Sequence, residues 1–109
     1  MLTRNIRYRR LLPLLALVGA VALAQQTVDV TIQDYRFSPP EVRIKVGDSV
    51  RWVNHEKRTS HSVVFPSEGG LESDRLFPGE HWQRTFTQRG SYHYRCGPHE
   101  EMKGLIIVE

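Results

Sequence analysis

The sequence predicts an all-β domain, a Greek-key β-sandwich or barrel, and three observations lead to this fold class. Short runs of alternating apolar and polar residues recur along the chain from residue 27 onward. Turn-rich segments separate the runs: Ser38-Pro39-Pro40, Pro66 to Gly70, Pro78-Gly79 and Arg89-Gly90. No stretch of this part of the chain keeps a helical period. Many short strands at regular spacing are typical of a sandwich or barrel.

The first predicted strands lie between residues 27 and 54. Residues 27–32 (TVDVTI) alternate, and residues 42–46 (VRIKV) repeat that period with Val46 on the inward face. A Gly47-Asp48 turn follows, and residues 49–54 (SVRWVN) form the next run. Two alternating runs around a Gly-Asp turn predict a β-hairpin.

Four further runs complete the predicted sheet structure. They are HSVVF (61–65), HWQRTF (81–86), SYHYRC (91–96) and LIIVE (105–109). In the run from residue 91, strand alternation places Tyr92, Tyr94 and Cys96 on one face and His93 on the other. The chain has no internal repeat and no linker, so these strands belong to one domain.

The first 24 residues predict a secretory signal peptide, which leaves residues 25–109 as the folded domain. Four arginines and no acid occupy residues 1–10, residues 11–23 are apolar, and Ala22-Leu23-Ala24 is a small-residue cleavage pattern. An uncleaved membrane anchor is the alternative, but the apolar run is shorter than the roughly 20 residues that span a bilayer. We therefore expect export to the periplasm and no membrane attachment after cleavage.

The charge of the chain depends on this segment. The sequence has 15 basic and 12 acidic residues, and without the four signal arginines the domain has 11 basic residues against 12 acidic ones. A nearly neutral domain without a basic patch gives no evidence for nucleic-acid binding, and we expect no nucleic-acid partner.

The loop YRCGPHEEMKG contains three soft or borderline metal ligands. Cys96, the only cysteine, precedes His99 by three residues, and Met102 follows at the same interval. An odd cysteine in an exported protein needs either another chain or a chemical role. Thiolate, imidazole and thioether together suit copper, whereas zinc rarely recruits methionine and its structural sites usually need four nitrogen or sulfur ligands. The loop alone is compatible with either metal.

A copper site of this kind needs a second histidine, and the sequence favours His61. It directly precedes the apolar SVVF run, so it lies at the mouth of a buried strand. His55 lies among charged residues, His81 opens a strand after a turn, and His93 faces away from Cys96. These three are interpreted as surface residues.

Three segments resemble the cupredoxins, the small blue copper proteins, and most closely the branch that contains amicyanin, pseudoazurin and plastocyanin. The segments are FSPPEVRIKVGDSVRWVN, SHSVVF and GSYHYRCGPHEEMKGLIIVE, which together cover most of the predicted domain. The short C-x2-H-x2-M spacing is that of amicyanin.

The resemblance implies one mononuclear type 1 copper ion with four ligands. His61, Cys96 and His99 match the family's trigonal plane, and Met102 matches its weak axial thioether. Ser62 stands where the family usually has an asparagine that ties the two ligand segments together.

The implied function is single-electron transfer by Cu(II)/Cu(I) cycling, not enzymatic catalysis. A monomer would exchange electrons with transient redox protein partners that dock near His99, which Gly97 and Pro98 frame. Delivery or sequestration of copper in the cell envelope is the alternative and would use the same residues. A cysteine hydrolase is disfavoured because no third orienting residue accompanies Cys96 and a histidine.

Overall fold

The computed structural model describes residues 24–109, which form two β-sheets packed face to face. The predicted signal peptide lies outside the described residues except for Ala24. The nine strands are β1 (Thr27–Gln33), β2 (Arg36–Ser38), β3 (Glu41–Ile44), β4 (Ser49–Asn54), β5 (Val64–Phe65), β6 (Leu71–Glu72), β7 (His81–Thr85), β8 (Gly90–Arg95) and β9 (Lys103–Val108). One 3₁₀ turn spans Pro66–Glu68. Within residues 24–109, no helix is long and apolar enough to cross a membrane.

The first sheet has the order β2-β1-β4-β7, and the second has the order β3-β9-β8-β5-β6. Strand β1 pairs with β4 in parallel, and β3 pairs with β9 in parallel, while the other pairings are antiparallel. The all-β sandwich predicted from alternation is therefore confirmed. Strands β2 and β6 had no counterpart among the predicted runs, because they have only three and two residues.

The predicted hairpin around Gly47-Asp48 is wrong. Strand β3 lies in one sheet and β4 in the other, so the two runs face each other across the core instead of pairing. Gly47 has φ of 96°, a left-handed conformation that suits glycine, and its N–H donates to the carbonyl of Phe86 at 2.8 Å. Val46 was expected to point inward but is 46% exposed, because β3 ends at Ile44 and the crossing begins there.

Alternation decides which residues fill the core. In β1, Val30 and Ile32 are buried while Asp29 and Gln33 are exposed, and β3 and β9 follow the same two-residue period. Burial of these apolar faces against each other is the main stabilising term of the domain.

A cluster of aromatic rings around Tyr94 fills the core between the two sheets. The ring of Tyr94 packs against Phe37, Trp52 and Phe65 at centroid distances of 4.8, 5.4 and 5.7 Å. Burial raises the pKa of Tyr94 to about 12, and a polar contact with Trp52 offsets this only in part. The contact falls short of a hydrogen bond of normal geometry. Gly104 in β9 leaves the space that this tyrosine ring fills.

Arg84 of β7 covers the edge of the core from outside. Its guanidinium lies 4.5 Å from the ring centroid of Phe65 and 4.6 Å from that of Phe86. The same group donates two hydrogen bonds, of 2.6 and 2.7 Å, to the carboxylate of Glu68. This hydrogen-bonded pair lowers the pKa of Glu68.

Candidate metal centre

Two loops at one end of the sandwich bring the predicted ligands together. Cys96 directly follows β8, and Met102 directly precedes β9, so residues 96–102 form the loop between two paired strands. Within it, the N–H of Cys96 donates to the carbonyl of Met102 at 2.9 Å, and the N–H of Met102 donates to that of His99 at 3.0 Å. These two bonds join the ends of the loop and fix the backbone at Cys96, His99 and Met102.

His61 comes from a separate segment between β4 and β5. It exchanges two backbone hydrogen bonds with Leu76, of 3.0 and 2.7 Å, as an isolated bridge. The run predicted as a strand over residues 61–65 is thus regular only at Val64–Phe65. The bridge nevertheless holds His61 where its imidazole faces the other loop, and its exposed fraction is 0%.

Three ligand atoms converge at this point. The Sγ of Cys96 lies 3.5 Å from Nδ1 of His61 and 3.6 Å from Nδ1 of His99, and the two nitrogens are 3.2 Å apart. A point equidistant from the three atoms lies about 2 Å from each, close to the metal–nitrogen bond length of about 2.0 to 2.1 Å. The three side chains therefore already surround a position of the size that a metal ion needs.

The donor set fits copper. Two imidazole nitrogens and one thiolate in a triangle, with a methionine nearby, are the ligands of electron-transfer copper sites. Cys96 is completely buried, and Met102 is 2% exposed. The buried methionine closes the loop that also carries Cys96 and His99, so the same loop would supply a fourth ligand.

Burial and the carboxylate of Glu56 together favour one protonation state and one tautomer of His61. Desolvation lowers the pKa of His61, which favours the neutral imidazole. Its Nε2 lies 3.1 Å from Oε1 of Glu56, the geometry of an Nε2–H that donates to the carboxylate. This tautomer leaves the lone pair of Nδ1 directed at the triangle, as carboxylate partners of metal-binding histidines commonly arrange.

Glu56 is a site residue that the sequence analysis missed. It lies beside His55, Lys57 and Arg58, in the charged stretch around the histidine that the sequence places at the surface. The structure folds the loop back so that the Glu56 carboxylate reaches both His61 and the backbone N–H of Tyr35, the latter at 2.9 Å. The hydrogen bond from Tyr35 is the largest cause of the lowered pKa of Glu56. No local pattern could have shown this, because the contacts depend on the path of the loop.

Asn54, the last residue of β4, determines that path. It is completely buried, and its Nδ2 donates to the carbonyls of Thr59 and Leu76, both at 2.9 Å. Its Oδ1 accepts the N–H of Glu56 at 2.8 Å. One amide thus holds the loop that carries Glu56 and the segment that pairs with His61.

Ser62 makes the connection between the two ligand segments. Its Oγ accepts the backbone N–H of Gly97 at 3.0 Å, and its own N–H lies 3.5 Å from Sγ of Cys96. A Cβ on Gly97 would lie 2.5 Å from that Oγ and 2.9 Å from Oε1 of Glu72. Serine therefore bridges the loops at close range, and the bridge leaves no room for a side chain at position 97.

The remaining histidines lie away from the triangle. His55, His81 and His93 are all exposed, as the sequence analysis expected. His99 is half-buried, so among the three residues of the triangle it alone reaches solvent.

Comparisons with known proteins agree with this geometry. Residues 24–109 match the family described as copper binding proteins, plastocyanin/azurin family. Amicyanin from Paracoccus denitrificans is 34% identical over 95 residues, covering 84% of this chain and 72% of that protein. Amicyanin-alpha from Methylorubrum extorquens is 37% identical over 99 residues, covering 84% and 82%. A solved Cu(I) form of an amicyanin variant superposes with a TM-score of 0.72 at 32% identity, covering 76% of this chain and 82% of that one.

Proposed function

Because this chain belongs to the plastocyanin/azurin family of copper-binding proteins, we propose that it carries single electrons between redox partners as a small type 1 copper protein. It acts as a carrier and not as an enzyme. The observation that carries the proposal is the convergence of two imidazole nitrogens and one sulfur, from His61, His99 and Cys96, within 3.6 Å of one another. Met102 would be the fourth residue that holds the ion.

Copper, when bound, supplies a one-electron couple between Cu(II) and Cu(I). The chain supplies fixed ligands for both oxidation states. The bridge of His61 with Leu76 and the closed loop at residues 96–102 hold the three atoms of the triangle through backbone hydrogen bonds. Burial of His61 and Cys96 keeps water away from the ligands. A site whose ligand geometry changes little between the two oxidation states needs little reorganisation when an electron is transferred.

Electrons would enter and leave through the exposed edge of His99. This residue is half-buried while Cys96 and His61 are buried, and exposed Pro98 and Glu100 flank it. A small surface of this kind suits a transient redox contact, which typically buries less than about 1,200 Å². Redox proteins would dock there with the carrier as a monomer.

We also propose that residues 1–24 are a signal peptide and that the domain at residues 25–109 works in the periplasm. The backbone N–H of Gln26, two residues after the proposed cleavage point, donates to Oδ1 of Asp48 at 3.0 Å, so the proposed mature domain is held in the fold close to its first residue. Fractionation of expressing cells followed by mass measurement tests this. A chain that keeps its first 24 residues in the mature form would refute it.

One optical titration tests the carrier function. Metal-free protein titrated with Cu²⁺ should turn intensely blue through thiolate-to-copper charge transfer, reaching its end point at one ion per chain. The Cys96→Ser protein should bind without the blue colour, and the control His93→Gln should match the wild type because this histidine is exposed on β8. A colourless wild-type complex, or colour that persists in Cys96→Ser, would overturn the assignment.

Reduction and transfer experiments separate the carrier from a delivery protein. A carrier should pass through repeated oxidation and reduction with its copper retained. Rapid loss of the metal to a metal-free acceptor protein would instead favour delivery.

A further inference from the structure

A tyrosine outside the ligand set packs on both imidazoles of the centre. Tyr35 lies in the turn between β1 and β2, far in sequence from both ligand segments. Its ring centroid is 4.8 Å from that of His99 and 5.5 Å from that of His61, with interplanar angles of 77° and 88°. Edge-to-face packing at these distances is attractive. Yet 48% of the Tyr35 surface is exposed, so core burial does not account for its placement.

The backbone of Tyr35 adopts an unfavourable conformation to reach this position. Its φ is 57°, and that of Asp34 is 54°, both in the left-handed region. Asparagine and aspartate adopt this region far more readily than a bulky aromatic residue does. Such outliers persist where surrounding contacts hold them and are common at functional sites.

Two polar contacts hold the tyrosine in place. Its N–H donates to Oε1 of Glu56 at 2.9 Å, and its hydroxyl lies 3.2 Å from Oγ1 of Thr59. The same Glu56 oxygen lies 3.1 Å from Nε2 of His61. Tyr35 is thus tied to the loop that also orients His61.

His99 lacks an equivalent anchor. Within residues 24–109, the polar contacts of its side chain are those with Cys96 and His61 inside the triangle. His99 is half-buried, and among residues 24–109 no polar group outside the triangle bonds to its ring. The edge-to-face contact with the Tyr35 ring is a restraint on the His99 imidazole from outside the triangle.

We propose that Tyr35 is a positioning residue, which holds the His99 imidazole with Nδ1 facing Cys96 before the metal arrives. The proposal rests on the proposed function only in taking residues 61, 96 and 99 as copper ligands. Preorganisation of this kind raises affinity because less conformational freedom is lost on binding. An aromatic contact such as that between Tyr35 and His99 contributes a free energy equivalent to a change of about 2- to 12-fold in the dissociation constant for copper.

The Tyr35→Asn variant separates positioning from stability. Asparagine tolerates the left-handed backbone, which offsets part of the lost ring packing, so the variant should still fold. In the metal-free protein, side-chain NMR signals of His99 should show a second ring orientation or exchange broadening that the wild type lacks. The dissociation constant for Cu⁺, measured by competition with a chromophoric chelator, should rise about 2- to 12-fold.

Two further variants complete the test. Tyr35→Phe keeps the aromatic ring and the backbone bond to Glu56 and loses only the hydroxyl contact with Thr59, so it should restore the wild-type His99 signals and the wild-type affinity. Val46→Ala, at a similarly exposed residue in the crossing between the sheets, should change neither. The proposal is overturned if His99 in Tyr35→Asn keeps the single orientation of the wild type, or if Tyr35→Phe behaves like the asparagine variant. The NMR result needs no copper, so it stands apart from failure of the carrier function.

Discussion

Replacement of Asn54 by alanine should remove a large part of the stability of this domain. The substitution deletes three hydrogen bonds, two from Nδ2 to the carbonyls of Thr59 and Leu76 and one to Oδ1 from the N–H of Glu56. Each intramolecular hydrogen bond contributes about 1 kcal/mol, and a buried group left without a partner costs about 1 to 3 kcal/mol. Asn54 is completely buried, so water cannot replace the amide without local opening.

We expect a loss of about 3 to 5 kcal/mol in the free energy of unfolding. That is a large fraction of the roughly 5 to 15 kcal/mol that small domains have in total. Asn54→Asp should be no better, because a carboxylate would face the two carbonyl oxygens that now accept from Nδ2.

Urea denaturation of the metal-free protein measures this loss directly. Gln33→Ala, which removes an exposed amide at the end of the neighbouring strand β1, is the matched control and should change stability by less than about 0.5 kcal/mol. A loss in Asn54→Ala below about 1.5 kcal/mol, with an unchanged denaturant slope, would contradict the role of this amide as the organiser of the loop.

Gly104→Ala should lose about 3 kcal/mol of stability, since its Cβ would overlap the buried ring of Tyr94; a variant with wild-type unfolding would show that the ring can move. Ser62→Ala should cost about 1 to 3 kcal/mol in a urea titration by leaving the Gly97 N–H without its acceptor, and a cost below about 0.5 kcal/mol would mean that this bond is not needed. The lowered pKa of Glu68 gives a pH dependence: its pair with Arg84 stabilises the fold fully above the ordinary carboxyl pKa, and that stabilisation is lost as pH falls through the lower folded-state pKa. The stability difference between the wild type and Glu68→Gln should therefore shrink towards acid pH; a constant difference would refute this.

Local patterns in the sequence determined the fold class and the main ligand candidates. Alternation with a period of two depends only on neighbouring residues, so the inward faces of β1 and β9 follow from the sequence alone. The close spacing of Cys96, His99 and Met102 likewise confines them to one loop whatever the rest of the chain does. His61 was also a candidate from the sequence, because the apolar run after it indicated its position at a strand mouth.

Tertiary structure decided which strands pair and which side chains support the ligands. A turn such as Gly47-Asp48 is compatible with a hairpin or with a crossing between sheets, and burial of both inner faces against each other favours the crossing. Glu56 reaches His61 because Asn54 holds the loop after β4 in a folded-back path. Tyr35 reaches both imidazoles because the turn between β1 and β2 has a left-handed backbone. Contacts between residues distant in sequence leave no periodic pattern. They arise from the path of the folded chain, and a reading of neighbouring residues cannot supply them.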